Sequence, residues 1–203
     1  MISTRTLLLS IIIGIAASAA ANPLLVFGWE ECDETVLDLD GPGIEPILAA
    51  RVTAPDPVFD GNYSLRLVHN APGATPRATI AYVQGLSPGA EVHIEIVRFD
   101  AAPEGGSCRI RGRYLADDSD AGGPEDPVGT DWQWISHTWQ ITAGYSGLAI
   151  DVEMIGEAGD TVWLDDMVVF PLGSDGELMT PCWDYWFVPV EGSTLSGVKD
   201  LFR

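Results

Sequence analysis

Asp165 stands in the run 161–171 (TVWLDDMVVFP), which is apolar on both faces apart from Asp165 and Asp166. A carboxylate there is costly to desolvate, so it needs a cation, an arginine or hydrogen bonds from its surroundings. A hard cation such as calcium is held by several oxygens, best by carboxylates and backbone carbonyls together. Asp166 could exchange roles with Asp165, because strand alternation sends the two acids to opposite faces. The D-x-D runs at 38–40 and 118–120 lack the glutamate that closes an EF-hand loop and do not read as such a site.

A second group is cationic. Arg109, Arg111 and Arg113 alternate with Cys108, Ile110 and Tyr114, which puts three of only ten basic residues on one face of one strand. Either Glu95 or Asp100 on a neighbouring strand pairs with them, or they form a cleft for an acidic or sulfated polysaccharide, since Arg binds planar anions bidentately. The third group is aromatic. Sugar rings stack on flat side chains while flanking polar groups bond their hydroxyls. Trp134 is the first candidate, because its phase opposes Ile135, Trp139 and Ile141; Tyr82 and Tyr114 follow. Trp132 and Trp163 read as core. His69, His93 and His137 are scattered with no catalytic or zinc spacing. No Ser, Cys or Gly-rich nucleophile motif is present. Paired carboxylates are uninformative among 30 acids, so a polysaccharide lyase or hydrolase remains only an alternative.

The elements that must position these groups are strands. Period-two alternation runs from about Leu24 to Pro171 through 47–53, 63–69, 77–83, 90–99, 108–115, 132–141, 147–154 and 161–171. The phase shift at Val97 and Phe99 implies a bulge or burial on both faces. Turn signals such as Asp60-Gly61-Asn62 and Ser87-Pro88-Gly89 punctuate the strands. Eight or nine short strands predict an all-β, two-sheet antiparallel jelly-roll β-sandwich, with helix confined to the leader and residues 195–203.

Residues 1–21 have a positive start at Arg5, an apolar run and small residues at Ala17, Ala19 and Ala21. They read as a signal peptide, which predicts a secreted or periplasmic protein with no membrane span once mature. The β-sandwich then covers 22–171. A tail, 172–203, carries Trp183, Tyr185, Trp186 and Phe187. Export permits disulfides. Cys32–Cys182 is plausible if the first and last strands are neighbours, with Cys108 left as a buried thiol. The formal charge of −20 argues against nucleic acid and anionic membranes as partners.

Five segments in order resemble a family: NPLLVFGWEE at the mature start, DGNYSLRLV at 60–68, Gly85-Leu86 with Pro88-Gly89, Trp132-Gln133 with Ser136, and VWLDDMVV at 162–169. The sequence is similar to the carbohydrate-binding modules of the CenC type, which are jelly-roll sandwiches. It departs at Val26-Phe27-Gly28, where that family has Asn-Gly-Gly, and in its aromatic tail. The resemblance implies a polysaccharide or glycan partner. It also implies a structural calcium held by Glu30, Asp60, the Gly61 carbonyl and Asp165, which would staple the first and last strands together. A structural surface protein on the same fold is the other reading.

Overall fold

The structure is a computed structural model, and it describes residues 27–30, 33–101, 106–124, 130–172 and 176–181. Residues 1–21, read above as a signal peptide, Cys32, Cys182, the tail aromatics and residues 195–203 lie outside the described residues.

Eleven strands form two antiparallel sheets. They are β1 (Asp38–Asp40), β2 (Ile47–Val52), β3 (Ser64–His69), β4 (Arg77–Gln84), β5 (Glu91–Asp100), β6 (Cys108–Tyr114), β7 (Asp120–Gly122), β8 (Gln133–Gln140), β9 (Gly147–Met154), β10 (Thr161–Leu172) and β11 (Glu177–Met179). A six-stranded sheet runs β1-β4-β9-β6-β7, with β11 also on β4; a five-stranded sheet runs β2-β3-β10-β5-β8. No helix occurs among the described residues, so none is long and apolar enough to cross a membrane. The eight strands read from alternation are all present. The three additional ones are three-residue edge strands, too short to show a period.

Alternation assigns the two faces of each strand. Val92, Ile94 and Ile96 of β5, Val162 and Leu164 of β10, and Ile110, Ile150 and Val152 of the opposing sheet meet in one core. Strand β5 pairs with β8 without a register shift and is buried from Val92 to Arg98, so its phase change reflects burial on both faces. The bulge lies instead in β10, between Asp165 and Val168. Trp29 is fully buried in the core. Beside it, Phe27 and Met167 exchange backbone hydrogen bonds of 2.7 and 2.8 Å, which sets the N-terminal segment against the last long strand.

Trp139 reaches from β8 across the core and donates from Nε1 to the Gly122 carbonyl at 2.8 Å. It passes over Gly112 of β6, where a Cβ would lie 2.6 Å from that nitrogen. Gly112→Ala is therefore expected to overpack this crossing and lower stability by about 1–3 kcal/mol. A urea titration checks this, and an unchanged midpoint would contradict the packing described.

Candidate functional site

The arginine row lies on the outer face of the six-stranded sheet. Strand β6 is flanked there by β9 and β7, so the row meets acids of those strands and their turn. Arg109 Nε donates to Glu153 Oε2 at 2.6 Å, and Arg111 pairs with Asp120. Arg113 donates from Nε to Asp151 Oδ2 at 2.7 Å and from Nη1 to Asp118 Oδ1 at 2.6 Å. Asp151, fully buried, also accepts from Thr79 Oγ1 at 2.6 Å. Hydrogen bonding to Asp151 holds the Arg113 guanidinium far above its ordinary pKa. Arg77 and Asp40 extend the lattice to the sheet edge. The partners expected from sequence, Glu95 and Asp100, belong to β5 in the other sheet. Asp100 instead accepts from Ser107 N at 2.6 Å and Ser107 Oγ at 3.0 Å.

Trp134 stands on the outer face of the opposite sheet, so it does not share a groove with the arginines. Tyr82 lies on the arginines' side: its register partner is Ala149, which is also the partner of Arg113. Tyr114 faces inward, stacks on Tyr145 at 3.8 Å and donates to Thr142 Oγ1 at 2.9 Å, which leaves it no surface for a ligand.

The outer face of the five-stranded sheet is aromatic. Trp163 packs edge-on against Phe99 with centroids 5.6 Å apart, and Phe99 lies tilted against Trp132, also at 5.6 Å. Phe59 stands over this end with its centroid 5.5 Å from Trp132 and 5.7 Å from Trp134. Trp134 is 44% exposed and Phe59 40%. The expectation that Trp132 and Trp163 are core is corrected here. Both are half-buried on this face, since Trp163 sits opposite Phe99, which alternates with the core residues of β5. A strand apolar on both faces gives no sign of which face is covered. Farther along the same face, His93 Nδ1 lies 2.7 Å from Thr138 Oγ1 of neighbouring β8 and its Nε2 3.4 Å from Glu95 Oε1 of its own strand.

Asp165 is completely buried at the bulge and carries three backbone hydrogen bonds. Phe59 N donates at 2.9 Å and Asp60 N at 3.3 Å to one oxygen, and Asp166 N at 2.9 Å to the other. Asp166 takes a positive φ of 45°. The bulge breaks the alternation expected to separate the two acids, and an oxygen of each lies within 3.3–3.6 Å of where a Gly28 Cβ would stand. Glu30 accepts from Asn62 N at 2.7 Å and Tyr63 N at 2.8 Å. Gly61, at φ 67°, makes room for that carboxylate, because a Cβ would fall 2.3 Å from Glu30 Oε1. Burial and then the charges of Asp60 and Glu30 push the Asp166 pKa up. Among the described residues, no three His, Cys, Asp or Glu side chains are arranged to hold a metal ion as they stand.

Burial raises the Asp165 pKa from 3.8 to about 6, against the pull of its three N–H donors. Between those values the folded chain keeps a proton that the unfolded chain has lost, so this group's contribution to stability falls as pH rises from about 4 to about 6. The full cost, at most about 3 kcal/mol, is present above that window. Asp40, held low by its bond to Arg77, loses its contribution only below pH 4. In chelator, the melting temperature of Asp165→Asn is therefore expected to gain on the parent as pH rises from 4 to 7. A difference that stays constant with pH would contradict this.

No family model and no curated protein matches the sequence. Among solved structures, the chain is similar to the CBM22-1 xylan-binding domain of Paenibacillus barcinonensis Xyn10C. That match has 13% identity and a TM-score of 0.51, covering 77% of this chain and 98% of that one. The C-terminal family 22 carbohydrate-binding module of Clostridium thermocellum Xyn10B gives 13% identity and a TM-score of 0.49, with 76% and 98% covered. The enzymatically active domain of bacteriophage CBA120 tailspike protein 4 gives 11% identity and a TM-score of 0.50; 66% of this chain matches 19% of that one, so the chain spans about a fifth of its length. At these identities the likeness is one of fold: the chain is a two-sheet antiparallel β-sandwich of the kind that carbohydrate-binding modules adopt.

Proposed function

We propose that the chain is a secreted, non-catalytic carbohydrate-binding module of CenC-like type that holds a polysaccharide chain on the outer face of its five-stranded sheet. The observation that carries this reading is the aromatic strip of Trp163, Phe99 and Trp132, flanked by the exposed rings of Phe59 and Trp134. Flat rings on a sheet face suit sugar rings, which stack through their C–H faces while hydroxyls bond polar neighbours. The lattice on the opposite face offers less, because each of its four arginines already holds a carboxylate. Binding energy concentrates in a few aromatic anchors. Trp134→Ala is expected to weaken glycan binding about tenfold or more, and Arg111→Ala to leave it unchanged. A glycan array followed by calorimetry on the best ligand tests both. Absence of binding to any glycan would favour a structural surface protein on the same sandwich.

Calcium is the second part of the proposal. Glu30, Asp60 and Asp165, with the Gly61 carbonyl, supply the hard oxygens such an ion prefers. Asp166 lies in their field, since the charges of Asp60 and Glu30, after burial, raise its pKa. A bound ion would offset their mutual repulsion and join the N-terminal segment, residues 59–63 and β10. A ligand present at a hundred times its dissociation constant stabilises the fold by about 2.7 kcal/mol. Chelation is expected to lower the melting temperature of calcium-equilibrated protein, and Asp165→Ala to abolish that response. An unchanged melting point on chelation removes calcium from the account.

A further inference from the structure

One rung of the five-stranded sheet crosses its strands from β2 to the start of β8. The register places Ala50 opposite Arg66, Arg66 opposite Trp163, and Trp163 opposite Phe99, and Phe99 packs on Trp132. With strands about 4.8 Å apart, the three steps from Arg66 to Trp132 span about 14 Å. The rung is thus an aromatic row with a guanidinium at one end. By register, Arg66 is the one Arg or Lys that the described residues of these strands turn to this face.

That end lacks acceptors. Arg66 has five N–H donors in a fixed fork. The described residues give them one acceptor, Asp56 Oδ2, at a long 3.5 Å from Nη1. Among the described residues, Nε of Arg66 is covered and has no partner, and neither has Nε1 of Trp163 beside it on the rung. Buried donors in folded proteins are nearly always paired, so two orphans on adjacent strands mark a place where an acceptor belongs. The site is within reach of solvent, with the Arg66 side chain 37% exposed and that of Asp56 32%. Asp56 lies in the loop between β2 and β3, outside any strand.

We propose that Arg66 is the specificity-determining residue of the glycan face, and that it selects a chain carrying uronic-acid units. The inference rests on the binding reading above. A uronate carboxylate fits the guanidinium fork bidentately, which a hydroxyl does not. It takes the place of Asp56, which swings toward solvent, and bridges Nη1 and Nη2 at the end of the fork. The neighbouring sugars then stack along Trp163, Phe99 and Trp132. The chain's charge of −20 repels such a polymer at long range, but at 0.15 M salt charges beyond about 8 Å are largely screened, and the contact with Arg66 is shorter than that.

The test compares native and carboxyl-reduced forms of three uronate-bearing polymers, a glucuronoxylan, a polygalacturonan and an alginate, together with a neutral glycan panel, at 0.15 M salt. At least one native polymer is expected to bind about tenfold more tightly than its reduced form, the free-energy scale of one charged fork contact. Arg66→Gln is expected to erase that ratio, with Arg66→Lys falling between. Asp56→Asn is expected to widen it, a gain that misfolding does not mimic. Trp134→Ala weakens both forms alike. Equal binding of native and reduced polymers, or a ratio that survives Arg66→Gln, overturns the assignment of Arg66 while leaving the binding reading intact. Binding to neutral glycans alone, still sensitive to Trp134→Ala, does the same. No binding to any polymer overturns both.

Discussion

The buried carboxylate of Asp165 ties the aromatic face to the sheet beneath it. Two of its three hydrogen bonds go to the amides of Phe59 and Asp60, and this fixes the backbone from which the Phe59 ring reaches Trp132 and Trp134. Glu30 holds the next stretch of the same loop by the amides of Asn62 and Tyr63. One acid from near the N-terminus and one from the last long strand therefore grip a single loop by its N–H groups. The grip has a cost, since burial first, and the charge of Asp166 with it, lift the Asp165 pKa to about 6 against the pull of its N–H donors, and Asp166 has Asp60 and Glu30 in electrostatic reach.

The sandwich keeps two chemistries apart. On the six-stranded sheet, basic and acidic side chains alternate across β4, β9, β6 and β7 and neutralise one another pair by pair. Exposed pairs of this kind add little stability singly. Asp151 differs because it is fully buried, and removing Arg113 would leave it an uncompensated charge. The five-stranded sheet turns rings outward instead, with Arg66 as its strand-borne guanidinium.

Much of this was legible in the sequence. Alternation located eight strands and told which side chains of each share a face, so Trp134 was rightly set against Ile135 and Trp139, and Arg109, Arg111 and Arg113 were rightly grouped. It did not tell which strands are neighbours. Strands β5 and β6 are consecutive in the chain but lie in opposite sheets, so Glu95 and Asp100 never meet the arginine row. For the same reason Trp134 and the arginines, each correctly turned outward, point away from each other. Trp163 was misread because β10 is apolar on both faces, and a covered outer face looks like a core in one dimension. The pairing of Asp165 with Asp166 was hidden for a different reason. It depends on a bulge with a left-handed residue, and nothing in Leu-Asp-Asp-Met marks which strand bond will be skipped.

The aromatic strip draws its rings from several backbones of unlike stiffness. Trp163 and Phe99 stand on β10 and β5, each flanked by hydrogen-bonded neighbours on both sides, so their spacing is that of the sheet and is set before any ligand arrives. Preorganisation of this kind reduces the ordering cost that otherwise offsets contact energy. Trp134 stands on β8, at the edge. Phe59 and Asp56 are carried by the loop between β2 and β3, whose hold on the sheet runs through the carboxylates of Asp165 and Glu30 and the weak contact of Asp56 with Arg66. The rigid part of the face can supply stacking without regard to which sugar is present. On the reading that Arg66 discriminates, selection falls to the loop-borne part, where a ligand must compete with Asp56 for a guanidinium to which the described residues give one distant acceptor.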